Sequence, residues 1–170
     1  DACCRIPHGM VLVTGPTGSG KTTTLFSILQ DIKDPSKNIV TIEDPVEYRL
    51  SMVNQIEINP KAGLDFATAC RGLLRQDPDV VLIGEIRDPE TARLAVQSAL
   101  AGTLLFSTLH SHNAVGTIDR LINMGVDRFW VAATLSAVLG QRLVRRICPH
   151  CQVNYTPNPE DLKALDLPTD

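Results

Sequence analysis

The chain is 170 residues long, 44% hydrophobic and 21% charged, which is enough apolar material to build one domain around a buried core. A formal net charge of −3 argues against a general polyanion binder, and no apolar run approaches the ~20 residues needed to cross a bilayer. Five cysteines without a visible signal peptide point to reduced thiols in a reducing compartment.

The sequence starts at Asp1 without an initiator methionine, as a piece of a longer protein would, and enters a strand almost at once. Met10-Val11-Leu12-Val13-Thr14 is short, apolar and rich in β-branched residues. It runs into Gly15-Pro16-Thr17-Gly18-Ser19-Gly20-Lys21-Thr22, which matches G-x-x-x-x-G-K-[ST] in full. Leu25, Ile28 and Leu29 then recur at helical spacing. A glycine loop between a strand and a helix is the setting in which backbone N–H groups and the helix dipole cradle phosphate. On this reading Lys21 reaches the β- and γ-phosphates of a nucleotide, and the Thr22 hydroxyl ligates Mg²⁺.

That helix is expected to stop near Asp34-Pro35, because a proline disfavours helical geometry in the residue before it. The β-branched run Ile39-Val40-Thr41-Ile42 follows and ends on Glu43-Asp44-Pro45, so two carboxylates sit at the carboxyl end of a strand, where open α/β sheets hold ligands. Val46 to Pro60 alternates loosely and admits a small antiparallel hairpin. Phe66, Ala69, Cys70, Leu73 and Leu74 share one helical face, which places Cys70 in the core. Arg71 and Arg75 lie off that face, as plain surface charges or as contacts to phosphates or a neighbouring subunit. Val80-Val81-Leu82-Ile83 is the most apolar short run and suits a central parallel strand. It ends on Gly84-Glu85, whose carboxylate is the expected partner of the metal. A glutamate reaches one methylene further than aspartate and suits contact to magnesium through water.

Pro89 opens another helix, closed before Gly102, and Leu104 to Leu109 is a strand followed by His110 and His112. Three strand ends, at Glu43, Glu85 and His110, are thus expected to meet in one crevice, with His110 as a γ-phosphate sensor. Two helices are expected from Ala114 to Met124 and from Arg128 to Arg146, broken at Gly125, with Arg142, Arg145 and Arg146 on a solvated helix face. Cys148-Pro149-His150-Cys151 follows as a C-x-x-C loop. Cys148 and Cys151 are half of a tetrahedral zinc site, with redox chemistry as the rival reading; the adjacent Cys3 and Cys4 are poorly spaced to complete it. Past Tyr155 the composition is that of a linker.

Taken together, Gly15 to Thr22, the acidic stretch Thr41 to Tyr48, the stretch Leu74 to Asp88 with its Gly84-Glu85-Ile86-Arg87-Asp88, and Ser107-Thr108-Leu109-His110 resemble the secretion ATPases of type II secretion and type IV pilus assembly. The resemblance implies an α/β, RecA-like P-loop core of mostly parallel sheet flanked by helices, spanning 1–147, with a zinc-type element and linker over 148–170. It implies a hexameric ring on the cytoplasmic face of an inner membrane, working with inner-membrane platform proteins and hydrolysing ATP with Mg²⁺. It assigns the water-activating base to Glu43, magnesium and its water to Glu85, and nucleotide sensing to His110, with the two acids able to trade roles. It makes Cys148 and Cys151 the first half of a four-cysteine zinc element of the assembly and secretion branch, which retraction motors lack, the second pair falling beyond Asp170. It also implies that transition-state arginines come from an amino-terminal domain that this chain lacks, so that alone it turns ATP over slowly. Two positions depart from the pattern: Thr103 stands where the family often has a histidine, and His112 where a small polar residue is usual. A regulatory nucleotide-binding domain with little turnover and a retraction motor are the alternatives. A DNA translocase is disfavoured by the net charge of −3 and by the lack of an aromatic-basic groove.

Overall fold

The computed structural model describes residues 6–111 and 113–168. Six strands, β1 (Gly9–Thr14), β2 (Ile39–Glu43), β3 (Asn54–Glu57), β4 (Val80–Ile83), β5 (Leu104–Leu109) and β6 (Leu135–Gly140), form one sheet. Their order is β3-β2-β4-β5-β1-β6, and every pairing in it is parallel. Six helices accompany them: α1 (Lys21–Ile32), α2 (Phe66–Leu73), α3 (Pro89–Leu100), α4 (Ala114–Asn123), α5 (Arg128–Thr134) and α6 (Pro159–Ala164).

A parallel sheet must be covered on both faces, and alternation along the strands divides the core accordingly. Val11 and Val13 turn to one side, where Leu25, Phe26 and Leu29 of α1 pack on Leu82 and Phe106. Met10 and Leu12 turn to the other, against Cys70 and Leu73 of α2, Ala95 and Ala99 of α3, Leu121 of α4 and Val131 of α5. Each large apolar side chain removed from water in these layers contributes ~1.5–3 kcal/mol. The small residues Ala92, Ala95 and Ala99 keep α3 close to the sheet.

Because all strands run the same way, the residues that follow β1, β2, β4 and β5 emerge at one edge. These are the glycine loop, Asp44, Gly84-Glu85 and His110. Strand β5 lies between β1 and β4, so the loop and Glu85 are separated by one strand.

Three expectations are corrected. The stretch from Val46 to Pro60 is no antiparallel hairpin: its strand β3 pairs parallel with β2, Ile42 beside Ile56, and extends the sheet at its edge. The helix expected from Arg128 to Arg146 ends at Thr134, and Leu135–Gly140 is a sixth strand along β1. Leu-Ser-Ala-Val-Leu-Gly has no strong preference of its own, and the open edge of β1 decides it. Gly9, at φ 120°, lets β6 approach, since a Cβ there would stand 2.2 Å from Ser136 Oγ. Residues 141–158 form neither helix nor strand, so Arg142, Arg145 and Arg146 are exposed on irregular chain and C-x-x-C does not follow a helix. Within the expected linker, α6 is started by a capping box between Asn158 and Asp161.

Candidate functional site

The glycine loop leaves β1 at Thr14 and bends back into α1. Gly15 (φ 150°), Gly18 (φ 74°) and Gly20 (φ 83°) all take backbone conformations that side chains disfavour. Gly20 is the residue that starts α1, and no side chain caps that helix. By contrast, Asp65, Asp88, Asn113, Asp127 and Asn158 each accept a backbone N–H at the starts of α2 to α6. The first-turn amides of α1 thus point out of the loop with no side-chain acceptor, together with the positive end of the helix dipole. The Lys21 ammonium donates to the carbonyl oxygens of Gly15 (3.0 Å) and Pro16 (2.9 Å), which uses two of its three N–H groups and holds it over the loop. This geometry fits a chain of phosphates, and Gly18 opens onto free space where a Cβ would meet nothing within 4 Å.

The loop borders a cavity of about 700 Å³, well within the range of nucleotide-sized ligands. Residues 17–23 line it together with Glu43, Asp44, Glu47, Glu85, Arg87 and His110. The structure therefore brings Glu43, Glu85 and His110 together with Lys21 and Thr22, as the strand ends lead one to expect. Glu43 is almost fully buried (4% exposed), and its Oε1 accepts from Thr41 Oγ1 (2.5 Å) and from Gln55 Nε2 (3.0 Å). A buried carboxylate needs such donors to stay charged. Glu85 pairs through Oε1 with Arg87, and its Oε2 lies 3.7 Å from His110 Nε2. Arg87 also stands 3.8 Å from Asp44, and its hydrogen bond to Glu85 raises the guanidinium pKa further above its ordinary value. The result is a string of ionisable groups, His110, Glu85, Arg87 and Asp44, along the edge of the cleft.

Several residues escaped sequence reasoning. Gln141, just past β6, donates its backbone N–H to Thr14 O (2.8 Å) and its Nε2 to Ser19 O (2.7 Å), and accepts from Thr24 Oγ1 (2.8 Å). Gln55 ties Glu43 to the following loop by donating to Tyr48 O (3.2 Å) and accepting from Leu50 N–H (2.7 Å). Ser111 joins Thr14 Oγ1 (2.8 Å) to Thr117 Oγ1 (2.8 Å) beneath the loop. The partners of Gln141 are over a hundred positions away, and no local pattern announces them.

Cys148 and Cys151 are exposed and lie outside the cleft lining. The backbone N–H of His150, then the side chain and backbone of Cys151, hold the Cys148 thiol below its ordinary pKa. Among the described residues, no three of His, Cys, Asp and Glu form a metal-sized group, so two cysteines are what this stretch offers zinc. Cys70 is buried as expected, and burial pushes its thiol up to about 12. Arg71 is engaged by Glu90 rather than by the cleft. His112, Cys3 and Cys4 lie outside the described residues. No helix among the described residues is long and apolar enough to cross a membrane.

A family model described as Type II/IV secretion system protein matches residues 1–166. The chain is 55% identical over 161 residues to the type IV pilus assembly ATPase PilB of Thermus thermophilus, covering 95% of this chain and 18% of that protein. It is 52% identical over 161 residues to the type II secretion system protein E of Xanthomonas campestris pv. campestris, covering 95% of this chain and 28% of that one. Among solved structures, the pilus retraction motor PilT with bound ADP has a TM-score of 0.77 at 40% identity, over 84% of this chain and 44% of that chain. The VirB11 ATPase of the Brucella suis type IV secretion system, in complex with sulphate, has a TM-score of 0.71 at 25% identity, over 82% of this chain and 44% of that one. The chain thus spans less than half the length of each of these relatives.

Proposed function

This chain belongs to the Type II/IV secretion system protein family, and from that premise we propose that it is the ATP-hydrolysing core of a motor that assembles a type IV pilus or a type II secretion pseudopilus. The observation that carries the proposal is the single cleft in which the uncapped loop, Lys21, Thr22, Glu43, Glu85 and His110 meet. Loop residues 15–20 and the α1 amides bind the phosphates, and Lys21 shifts from its loop carbonyls to the β- and γ-phosphate oxygens. Thr22 and Glu85 would hold magnesium, the latter partly through water, and the ion when bound would offset the phosphate charge. Glu43 takes a proton from the water that attacks the γ-phosphorus, while the bond from that phosphorus to the bridging oxygen breaks and ADP departs. His110, 3.7 Å from Glu85, reports the presence of the γ-phosphate through that acid.

The working unit in this proposal is a hexameric ring bound peripherally to the cytoplasmic face of an inner membrane through platform proteins, without nucleic acid. Arginines from outside residues 1–147 complete each site, and residues from 148 onward begin a separate element. Cys148 and Cys151 supply two of the four ligands that a structural zinc takes. A retraction motor is the second reading, because PilT shares this core. The 55% identity to an assembly ATPase, against 40% to PilT, and the cysteine pair favour assembly.

The test is Mg²⁺-dependent ATP hydrolysis by the full-length protein and by Lys21→Ala, Glu43→Gln and Glu85→Gln. Lys21→Ala is expected to lose nucleotide binding, Glu43→Gln to bind ATP yet lose turnover by ~10²-fold or more, and Glu85→Gln to lose turnover together with its response to magnesium. A wild-type protein that binds ATP tightly and never hydrolyses it would establish the regulatory reading instead.

A further inference from the structure

The Gln141 contacts point to a part of the nucleotide site that no motif marks. The glycine loop has to hold its amides in a strained arrangement before any phosphate arrives, and a loop with three left-handed glycines has little rigidity of its own. Gln141 fastens it at three points. Its backbone N–H binds the last residue of β1, Thr14 (2.8 Å), its side-chain amide binds the carbonyl of Ser19 within the loop (2.7 Å), and its side-chain oxygen takes the hydroxyl of Thr24 at the end of the first turn of α1 (2.8 Å). Its own carbonyl lies where a Cβ on Gly15 would fall, at 2.1 Å, so the back of the loop is closed by main chain. Within the loop, Lys21 binds the carbonyls of Gly15 and Pro16 and the Ser19 N–H binds Pro16 O (3.2 Å), whereas the Ser19 carbonyl is held from outside the loop by Gln141; Ser19 Oγ, buried at 2% residue exposure, has no hydrogen-bond partner among the described residues.

We propose that Gln141 is a positioning residue for the phosphate loop: it sets the spacing between Ser19 and Thr24, and so the aim of the amides that receive the nucleotide's phosphates. This rests on the nucleotide reading of the cleft given above. Gln141 does not line the cleft beside the acids and touches no reacting atom; it acts through the loop. Its effect falls on binding in the ground state and the transition state alike, so it appears in KM more than in kcat.

The test compares full-length wild type with Gln141→Met, which keeps the length of the side chain and removes both of its polar bonds, with Thr24→Val, and with the double variant. The readouts are the Kd for Mg-ATP and Mg-ADP by calorimetry, KM and kcat for hydrolysis, and the urea midpoint. We expect Gln141→Met to weaken both nucleotides about tenfold and to raise KM alike with kcat within about threefold, and Thr24→Val to weaken them about threefold. The double variant is expected to match Gln141→Met, because both substitutions remove the same bond. A Gln141→Met protein with a lowered urea midpoint and unchanged Kd and KM would make the residue merely structural and overturn the proposal. Where Gln141→Met does not fold, an unchanged Kd in Thr24→Val overturns it. A wild-type protein that binds neither nucleotide overturns the nucleotide reading itself, whereas normal wild-type binding with insensitive variants overturns only the role of Gln141.

Discussion

Three cysteines among the described residues occupy opposite environments, and their chemistry should separate cleanly. Cys148 and Cys151 are exposed, and the Cys148 thiol is held low by the amide of His150, so it carries more thiolate at neutral pH than an ordinary cysteine. Cys70 is buried with its pKa pushed up to about 12. After zinc is stripped with a chelator, iodoacetamide at pH 7 is expected to modify Cys148 first and Cys70 only after unfolding, which peptide mass mapping would read directly. The raised folded value of Cys70 has a stability consequence of definite sign. The contribution of the neutral buried thiol is complete below the unfolded value of 9.0 and is lost as pH rises from there through about 12, because the unfolded chain releases a proton that the folded chain keeps. Urea midpoints measured from pH 8 to 11 should therefore fall in the wild type and fall less in Cys70→Ala. At this scale the sequence was most legible where a motif is contiguous: the pattern Gly15 to Thr22 needs no fold to be seen, and the meeting of Glu43, Glu85 and His110 in one cleft follows from strand ends. Gln55 and Gln141 were illegible because a glutamine carries no signature until its distant partners are in place.

Among the elements, α3 shows how much rests on a single cap. Asp88 accepts from the Thr91 N–H (2.8 Å) and from the Thr91 hydroxyl (2.6 Å), with Pro89 set for the first turn. Asp88→Ala is expected to cost about 1 kcal/mol and to lower Tm by roughly 2–4 °C in a thermal scan. The seam between β1 and β6 depends on Gly9 in the same way. Gly9→Ala forces a side chain into φ 120° and onto Ser136 Oγ, and should cost more than about 1 kcal/mol by urea denaturation. Adding Ser136→Gly should restore only part, since the contact is relieved and the backbone conformation is not. The elements with strong periodicity, α1, α3 and α4, were legible within a residue or two, while α2 ends at Leu73, a few residues earlier than the Asp77-Pro78 break suggests. Strands β3 and β6 were not, since Asn54–Glu57 and Leu135–Gly140 are edge segments whose state is set by the neighbour they join.

For the molecule as a whole, the parallel sheet is the common support of every group at the cleft, and its centre should be the least tolerant region. Phe106, on β5 and 1% exposed, packs in the layer under α1. Phe106→Ala is expected to cost about 3–5 kcal/mol, seen as a lower urea midpoint at unchanged m-value. That the fold class was legible follows from one physical fact: apolar β-branched runs alternating with amphipathic helices leave little alternative to a parallel sheet covered on both sides. The course of the chain after β6 was not, because irregular backbone leaves no period to read.

That irregular course has a mechanical side. Only six residues, 142–147, separate Gln141 from Cys148, with no helix or strand among them, a tether of at most about 25 Å when taut. Because that stretch is irregular, a pull on the cysteine pair reaches Gln141, and through it Ser19 and Thr24, only after the slack in the stretch has been taken up.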